Sequence, residues 1–194
     1  IGMFFNTMYN VVDTFYAGLI STQAISALTL SFMIFFLIIG FGYGFSSAIT
    51  ALLGNALGKK RYKLASIYAH KGLIFVPLIG LTLSIIGYFF APSLFMFLGA
   101  KDEYLQISLD YINPILFGAI FFMFNFSLNS ILIATGDTKT YRNSLIFGFF
   151  ANLALNPLFM YGFLFIPAMV IKGIAFATVL IQIINMFYLF YKVL

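Results

Sequence analysis

Six long apolar stretches, separated by short polar links, constrain what this chain can fold into. A helix that crosses the hydrocarbon core of a bilayer needs about 20 mostly apolar residues, and each stretch approaches or exceeds that length. The stretches predict membrane-spanning helices at about residues 1–20, 28–57, 72–98, 107–134, 144–166 and 173–191. Sustained two-residue alternation, which a membrane barrel requires, is absent. We therefore expect an all-α membrane protein, a six-transmembrane-helix bundle that forms a single domain over residues 1–194.

The composition excludes most other classes of protein. Apolar residues make up 63% of the chain and charged residues only 8%, whereas soluble domains carry about 25% charged residues. Cysteine is absent and His70 is the only histidine, which excludes thiolate and multi-histidine metal sites. No phosphate-binding glycine loop, nucleophile elbow or zinc signature is present. We therefore expect no enzyme and no cofactor.

The distribution of lysine and arginine predicts the orientation in the membrane. Eight of the ten basic residues follow the second or fourth span or lie at the C-terminal end: Lys59, Lys60, Arg61, Lys63, Lys71, Lys139, Arg142 and Lys192. Cytoplasmic loops are enriched in these residues. We expect a multi-pass protein of the plasma (inner) membrane, with the N-terminal end and the links after helices two and four in the cytoplasm. The net charge of +5 then has a topological cause, which we favour over lipid-headgroup binding or a nucleic-acid partner.

Asp13 is the only acidic residue well inside an apolar stretch. An ionised carboxylate costs at least about 2.5–3.5 kcal/mol at the centre of a membrane helix, and such residues usually face a cavity and move ions or protons. Asn6, Tyr9 and Asn10 share its helix face at spacings of three and four, so this stripe is expected to face a wet interior. The alternative is an interfacial or purely structural carboxylate.

Asparagines in the fifth stretch form a second polar group. Asn152 and Asn156 are one helical turn apart, and Pro157 has no N–H, so the carbonyl of Leu153 loses its helical partner. These oxygens could bind a small cation or contact Asp13. The alternative is that the amides only join helices, as they commonly do in membranes.

Two further spans carry polar pairs. Asn125 and Asn129 lie in the fourth stretch, and Gln182 and Asn185 lie in the sixth. Each pair alone is typical of helix packing. Together with the first and fifth spans they give four helices with inward polar groups, which predicts one water-accessible chamber.

Glycines in the second stretch indicate close helix packing. Gly40 and Gly44 are four residues apart, a spacing of small residues that lets two membrane helices approach each other. We expect this face of the span to lie against another helix.

Residues 9–18 (YNVVDTFYAG) and residues 54–60 (GNALGKK) resemble the first-helix motif and the end of the second helix of the multidrug and toxic compound extrusion (MATE) transporters. Further segments resemble motifs of the same family, in the same order along the chain. Residues 134–139 (ATGDTK) are similar to the loop between helices four and five. Residues 152–162 resemble the fifth helix, and residues 172–178 (KGIAFAT) the start of the sixth.

The resemblance implies a fold of twelve helices in two six-helix lobes, of which this chain looks like the N-terminal one. The start of the first helix and the whole C-terminal lobe would be missing from it. The family exports drugs or organic cationic metabolites by alternating access, coupled to entry of Na⁺ or H⁺. Its coupling acid and accompanying tyrosine correspond to Asp13 and Tyr9. Its asparagines of helices four and five correspond to Asn129 or Asn125, and to Asn152.

Asn156 departs from part of the family, in which some branches have a second acid at this position. A single carboxylate with neutral oxygens fits either a Na⁺ site or a one-proton switch, and the sequence does not choose between them. The expected coupling residues are Asp13, Tyr9, Asn152, Asn156 and Asn129. The expected substrate-chamber residues are Asn6, Asn10, Asn125, Gln182 and Asn185.

Two alternatives to a drug antiporter remain at this stage. A lipid-linked oligosaccharide flippase of the same superfamily should have a more cationic chamber, but no lysine or arginine lies deep in any predicted span. A non-transporting membrane scaffold would use its amides only to join helices. The expected partners are the lipid bilayer, a small organic cation and the missing C-terminal lobe. No metal ion is expected other than Na⁺ at Asp13.

Overall fold

The computed structural model describes residues 2–162 and 167–194, apart from the side chains of residues 2, 3 and 6. Within this part the secondary structure consists of seven helices and no strands, which confirms the all-α prediction. The helices are α1 (Gly2–Ile20), α2 (Thr22–Gly58), α3 (Tyr62–Phe97), α4 (Asp102–Phe117), α5 (Ala119–Ala134), α6 (Lys139–Tyr161) and α7 (Ile171–Val193).

Most of these helices are long and apolar enough to cross a membrane. Among the described residues, α2, α3, α6 and α7 meet this criterion individually, and the bent pair of α4 and α5 meets it together. The helix α1 does not, because Asn10 and Asp13 lower its hydropathy. At a rise of about 1.5 Å per residue, α2 and α3 are each roughly 55 Å long, so they must tilt or project beyond the hydrocarbon core of about 30 Å. The division into six spans stays a prediction.

Several helices begin earlier than the apolar stretches indicated. The helix α2 begins at Thr22, because the Ser21 hydroxyl accepts a hydrogen bond from the N–H of Ala24 at 3.0 Å and caps its first turn. The basic segment before the third stretch is already helical, so α3 begins at Tyr62. The helix α6 begins at Lys139. Residues 163–166 of the predicted fifth span lie outside the described residues.

The fourth stretch, which we predicted as one helix over residues 107–134, is divided into α4 and α5. The two helices meet at Gly118 and are bent by 45°. Pro114 has no N–H to continue the helical ladder, and the N–H of Gly118 bonds the carbonyl of Pro114 at 2.9 Å. The bend directs α4 and α5 along different lines past α7, and both halves contribute residues to the site described below.

Three helices end in the same left-handed turn. The residue after the cap has a positive φ of 57° at Lys60, 96° at Gly99 and 89° at Gly136. Glycine adopts this conformation freely, whereas another residue loses about 1–2 kcal/mol. The turn after α2 therefore retains a lysine at an energetic cost.

A buried seam between α2 and α5 shows how this bundle packs without charges. The Ser130 hydroxyl donates to the Ser46 hydroxyl at 2.8 Å, and both serines are buried. The ring of Phe126 lies where a side chain at Gly42 would be. Gly40 and Gly44, in contrast, have open space in place of a neighbouring helix within the described structure. The close approach thus occurs at Gly42, and the expectation for Gly40 and Gly44 is not met.

Candidate functional site

The Asp13 carboxylate is buried in α1 and holds three helices together. Only 3% of Asp13 is exposed. Its Oδ1 accepts hydrogen bonds from Nδ2 of Asn152 at 3.0 Å and from Nδ2 of Asn156 at 2.9 Å. Its Oδ2 accepts one from Oγ1 of Thr178 at 3.2 Å. The first two donors lie on α6 and the third on α7, so the carboxylate ties α1 to both helices.

The two asparagines of α6 share a face because they are four residues apart, and both are completely buried. Nδ2 of Asn156 also donates to Oδ1 of Asn152 at 3.2 Å. Oδ1 of Asn156 has no hydrogen-bond partner in the described part of the chain. A buried acceptor left unpaired costs about 1–3 kcal/mol. This oxygen, on a residue that already contacts the carboxylate, is therefore available for a ligand.

Two tyrosines complete the surroundings of Asp13. The Tyr111 hydroxyl, on α4, interacts with the same carboxylate, and Tyr111 is buried. The Tyr16 hydroxyl donates to the carbonyl of Leu153 at 3.0 Å. This is the carbonyl that Pro157 leaves without a helical partner, so Tyr16 occupies the acceptor that we expected to be free for a cation.

A small chamber lies beside the carboxylate. The chamber has a volume of about 70 Å³, which is enough for several water molecules. Nδ2 of Asn125 donates to the side-chain oxygen of Gln182 at 2.8 Å and to its carbonyl at 2.9 Å. Oδ1 of Asn125 is buried and has no partner among the described residues. The chamber thus combines space for water with a second unpaired amide oxygen.

Tyr9 lines the chamber one turn from Asp13. Its hydroxyl is buried and interacts with the side chain of Asn185 on α7. The hydroxyl occupies the place where a side chain on Gly148 of α6 would begin. A glycine at this position is therefore what lets the Tyr9 ring reach the chamber.

Aromatic rings form most of the remaining chamber wall. They belong to α2, α5 and α6: Phe35, Phe36, Tyr43, Phe122, Phe126 and Tyr141. No lysine or arginine lines the chamber within the part of the chain that the structure describes. Its one ionisable acid is Asp13, so the chamber favours positive charge.

The structure brings together most of the residues that the sequence singled out. Asn152 and Asn156 bind Asp13, and the chamber is lined by Tyr9, Asn10, Asn125, Gln182 and Asn185. Asn129 is buried one turn beyond Asn125 but does not line the chamber. Asn6 falls within α1, but its side chain lies outside the described residues. The coupling role of each of these residues stays a prediction.

Sequence reasoning missed Thr178, Tyr111 and Tyr16. Thr178 lies four residues before Gln182 and seven before Asn185, so it shares their face of α7, and this spacing could have identified it. Tyr111 and Tyr16 carried no comparable signal, because tyrosines are frequent in this chain and also suit the membrane interface.

Comparison with known proteins gives a consistent result. A family model described as MatE matches residues 1–158. The probable multidrug resistance protein YoeA of Bacillus subtilis is 33% identical over 162 residues, which are 83% of this chain and 35% of that protein. A protein of Shewanella oneidensis named FAD transporter is 28% identical and is matched over 88% of this chain and 38% of its own length.

Solved structures show the same fold. A crystal structure of MATE in the bent conformation superposes with a TM-score of 0.91 at 27% sequence identity. The match covers 98% of this chain and 42% of that structure. The chain therefore spans about two-fifths of the length of the proteins it matches, as one lobe of them does.

Proposed function

This chain belongs to the MatE family, and on that premise we propose that it forms one lobe of an antiporter that exports small organic cations in exchange for Na⁺ or H⁺. The chain matches only part of the length of its relatives. The activity of the whole protein is therefore itself a proposal. The observation that carries it is the buried Asp13 carboxylate, which contacts α6 and α7 beside a chamber with space for several waters.

The coupling ion would act by neutralising Asp13. An ionised carboxylate is costly in a membrane interior, and a bound Na⁺ or proton removes that cost. A proton on Asp13 would turn the carboxyl group into a donor, and the unpaired Oδ1 of Asn156 is an available acceptor. For Na⁺, rotation of the Asn152 and Asn156 amides would present oxygens in place of N–H groups. Both cases use side chains that already contact the carboxylate.

Occupancy of Asp13 would be transmitted to the helices through these same contacts. The hydrogen bonds that its carboxylate accepts from Asn152, Asn156 and Thr178 come from α6 and α7. Neutralising or coordinating the carboxylate changes each bond, and so changes how α1 is held against the two helices. The membrane potential supplies about 2.3 kcal/mol per charge per 100 mV for this step.

The chamber lining supports a cationic substrate. Aromatic rings attract cations within about 6 Å of the ring centre, and this wall is rich in them. FAD, which one relative is named for, carries phosphates, and the described chamber residues include no cation to bind them. The same lack of cations weighs against a lipid-linked oligosaccharide flippase.

Transport of a fluorescent organic cation by the intact protein in proteoliposomes tests this proposal. Separate Na⁺ and pH gradients identify the coupling ion. We expect Asp13→Asn to lose gradient-driven transport and Asp13→Glu to retain part of it. Asp102→Asn is the matched control, since Asp102 is exposed in the first turn of α4. Gradient-driven transport that is unchanged in Asp13→Asn would overturn the proposal and favour the scaffold alternative.

The orientation is also part of the proposal. We place the N-terminal end, the turn between α2 and α3, and the link between α5 and α6 on the cytoplasmic side of the plasma membrane. The support is the positive charge of these links, because cytoplasmic loops are enriched in lysine and arginine. The accessibility of cysteines introduced into these links tests the orientation directly, since this chain has no native cysteine.

A further inference from the structure

A second cavity lies at the turn between α2 and α3, apart from the Asp13 chamber. It measures about 150 Å³, and its wall is formed by the last turns of α2, the turn itself and the first turns of α3. The lining residues are Leu52, Asn55, Ala56, Lys59, Arg61, Leu64 and Tyr68. None of them contributes to the Asp13 site.

The positive charge around this cavity is not balanced by acidic residues. Five basic residues occur between positions 59 and 71, namely Lys59, Lys60, Arg61, Lys63 and Lys71, and no acidic residue occurs between Asp13 and Asp102. Within the described residues, the one ion pair joins Lys172 to Asp110, which lie on α7 and α4. Within the described residues no ion pair engages Lys59 or Arg61, so the cavity is lined by two unpaired cations.

The turn between α2 and α3 fixes the backbone positions of two of these basic residues, Lys59 and Arg61. The N–H of Arg61 bonds the carbonyl of Ala56 at 2.9 Å, and the N–H of Lys60 bonds the carbonyl of Leu57 at 2.9 Å. This pair of bonds closes the helix end around Lys60, whose left-handed φ of 57° costs energy for a lysine. Lys59 and Arg61 flank Lys60, so their backbone positions on either side of the turn are set.

The cavity lining combines hydrogen-bond donors with apolar groups. The side chains of Lys59, Arg61, Asn55 and Tyr68 can all donate, and no hydrogen bond within the described structure engages them. Leu52 and Leu64 supply apolar surface in the same wall, and Leu52 is 47% exposed. A ligand that matches both the hydrogen-bond donors and the apolar surface has a negatively charged phosphate joined to a hydrocarbon portion.

We propose that this cavity binds the phosphate group of an anionic phospholipid. In the orientation proposed above this turn lies in the cytoplasm, where basic pockets between membrane helices bind such headgroups. An arginine can hold a phosphate through two parallel hydrogen bonds. Free phosphate shares the charge but has nothing to place against Leu52 and Leu64. The proposal does not depend on transport by the Asp13 site.

Native mass spectrometry of the intact protein in neutral detergent tests the proposal. Phosphatidylglycerol is titrated, with phosphatidylcholine as the zwitterionic reference and inorganic phosphate as a competitor. The pocket variant is Lys59→Gln with Arg61→Gln. The matched control is Lys63→Gln with Lys71→Gln, which removes the same charge from exposed positions outside the cavity.

We expect the pocket variant to bind phosphatidylglycerol roughly tenfold more weakly or worse, because it removes both cations that would make charge-assisted hydrogen bonds to the phosphate. The control should lose less than about threefold, since its cations act only at longer range. Inorganic phosphate at the same concentration should not displace the lipid.

Equal losses in the two variants would overturn the proposal in favour of diffuse surface charge. Displacement of the lipid by inorganic phosphate would also overturn it and would identify a site for a soluble anion. If the pocket variant fails to fold, the test compares lipid binding by the single variant Arg61→Gln with lipid binding by the single variant Lys63→Gln. An unchanged preference for phosphatidylglycerol in Arg61→Gln would then exclude the site.

Discussion

Asp13 and Asp137 are two carboxylates with the same pattern of hydrogen bonds and opposite surroundings. Apart from the contact of Tyr111 with Asp13, each accepts two bonds at Oδ1 and one at Oδ2. Asp137 receives its bonds from the N–H groups of Lys139 and Thr140 and from the Thr140 hydroxyl, all within three residues. Asp13 receives its bonds from side chains that are 139, 143 and 165 residues away.

The difference shows that the origin of the donors, more than their number, separates a structural acid from a candidate site. Asp137 satisfies backbone donors at the beginning of α6, which is a local function of a helix start. Asp13 has no local partner among the donors described and uses three tertiary ones. An amide oxygen on Asn156 that is unpaired within the described structure lies beside it, and so does the chamber.

The largest expected effect comes from removing one donor of each carboxylate. Asn156→Ala should change coupling-ion affinity about 10–100-fold, because a hydrogen bond to a charged group contributes about 1.5–3 kcal/mol. Na⁺ binding should weaken, since an amide oxygen is lost, and proton binding should tighten, since the lost N–H stabilised the ionised carboxylate. Thr140→Ala, which removes a donor of Asp137, should change it less than twofold. The measurement is the half-saturating Na⁺ or proton concentration for transport. Comparable changes in both variants would remove the distinction between the two acids.

A smaller effect is expected from the glycine that admits Tyr9. Gly148→Ala places a methyl group on the Tyr9 hydroxyl and should lower the free energy of unfolding by about 1–3 kcal/mol, as overpacking does. Gly40→Ala is the control, because that position faces open space. Thermal unfolding in detergent measures both.

The combination of Gly148→Ala with Tyr9→Phe sharpens this test. The hydroxyl is the atom nearest to the added methyl group, so its removal should recover part of the lost stability. If Gly148→Ala were as stable as Gly40→Ala, the contact between α1 and α6 at Tyr9 would be looser than described.

The smallest effect concerns Asp137 and pH. Hydrogen bonds from the Thr140 hydroxyl and N–H lower the pKa of Asp137 below its ordinary value. Because the folded-state pKa is depressed, this contribution to stability is present above the ordinary pKa of about 3.9 and is lost as the pH falls through the folded-state value. Asp137→Asn should therefore unfold at a slightly lower temperature than the wild type at pH 7.

The difference between Asp137→Asn and the wild type should shrink below pH 4. Melting temperatures of Asp137→Asn and the wild type between pH 3 and pH 7 measure this trend. A constant difference between Asp137→Asn and the wild type would show that the charge of Asp137 is irrelevant to its position at the start of α6.

Much of the candidate site could be predicted because burying a charge restricts the possible arrangements. A carboxylate inside an apolar helix must find polar partners, and few helices offer amides on one face. Asn152 and Asn156 were therefore identifiable from spacing alone, and the structure places both on Asp13. The apolar stretches likewise predicted the all-helical fold, because their lengths match the thickness of a bilayer.

Other features could not be predicted because their chemistry is ambiguous in sequence. A threonine in a membrane helix often bonds a carbonyl of its own helix, as Thr29 and Thr82 do, so Thr178 was not distinctive. Small residues permit close packing but do not say which face is used, and Gly42 was therefore missed beside Gly40. These choices depend on which helix lies opposite, which is tertiary information.

The long separation between Asp13 and its partners has a consequence for biogenesis. At a synthesis rate of about 5–20 residues per second, α7 leaves the ribosome roughly 10–30 s after α1. During that interval the segment that carries Asp13 meets the membrane before Asn156 and Thr178 have been made. The nascent first helix must wait at the translocon or near the headgroups, and its final seating is a late event in assembly.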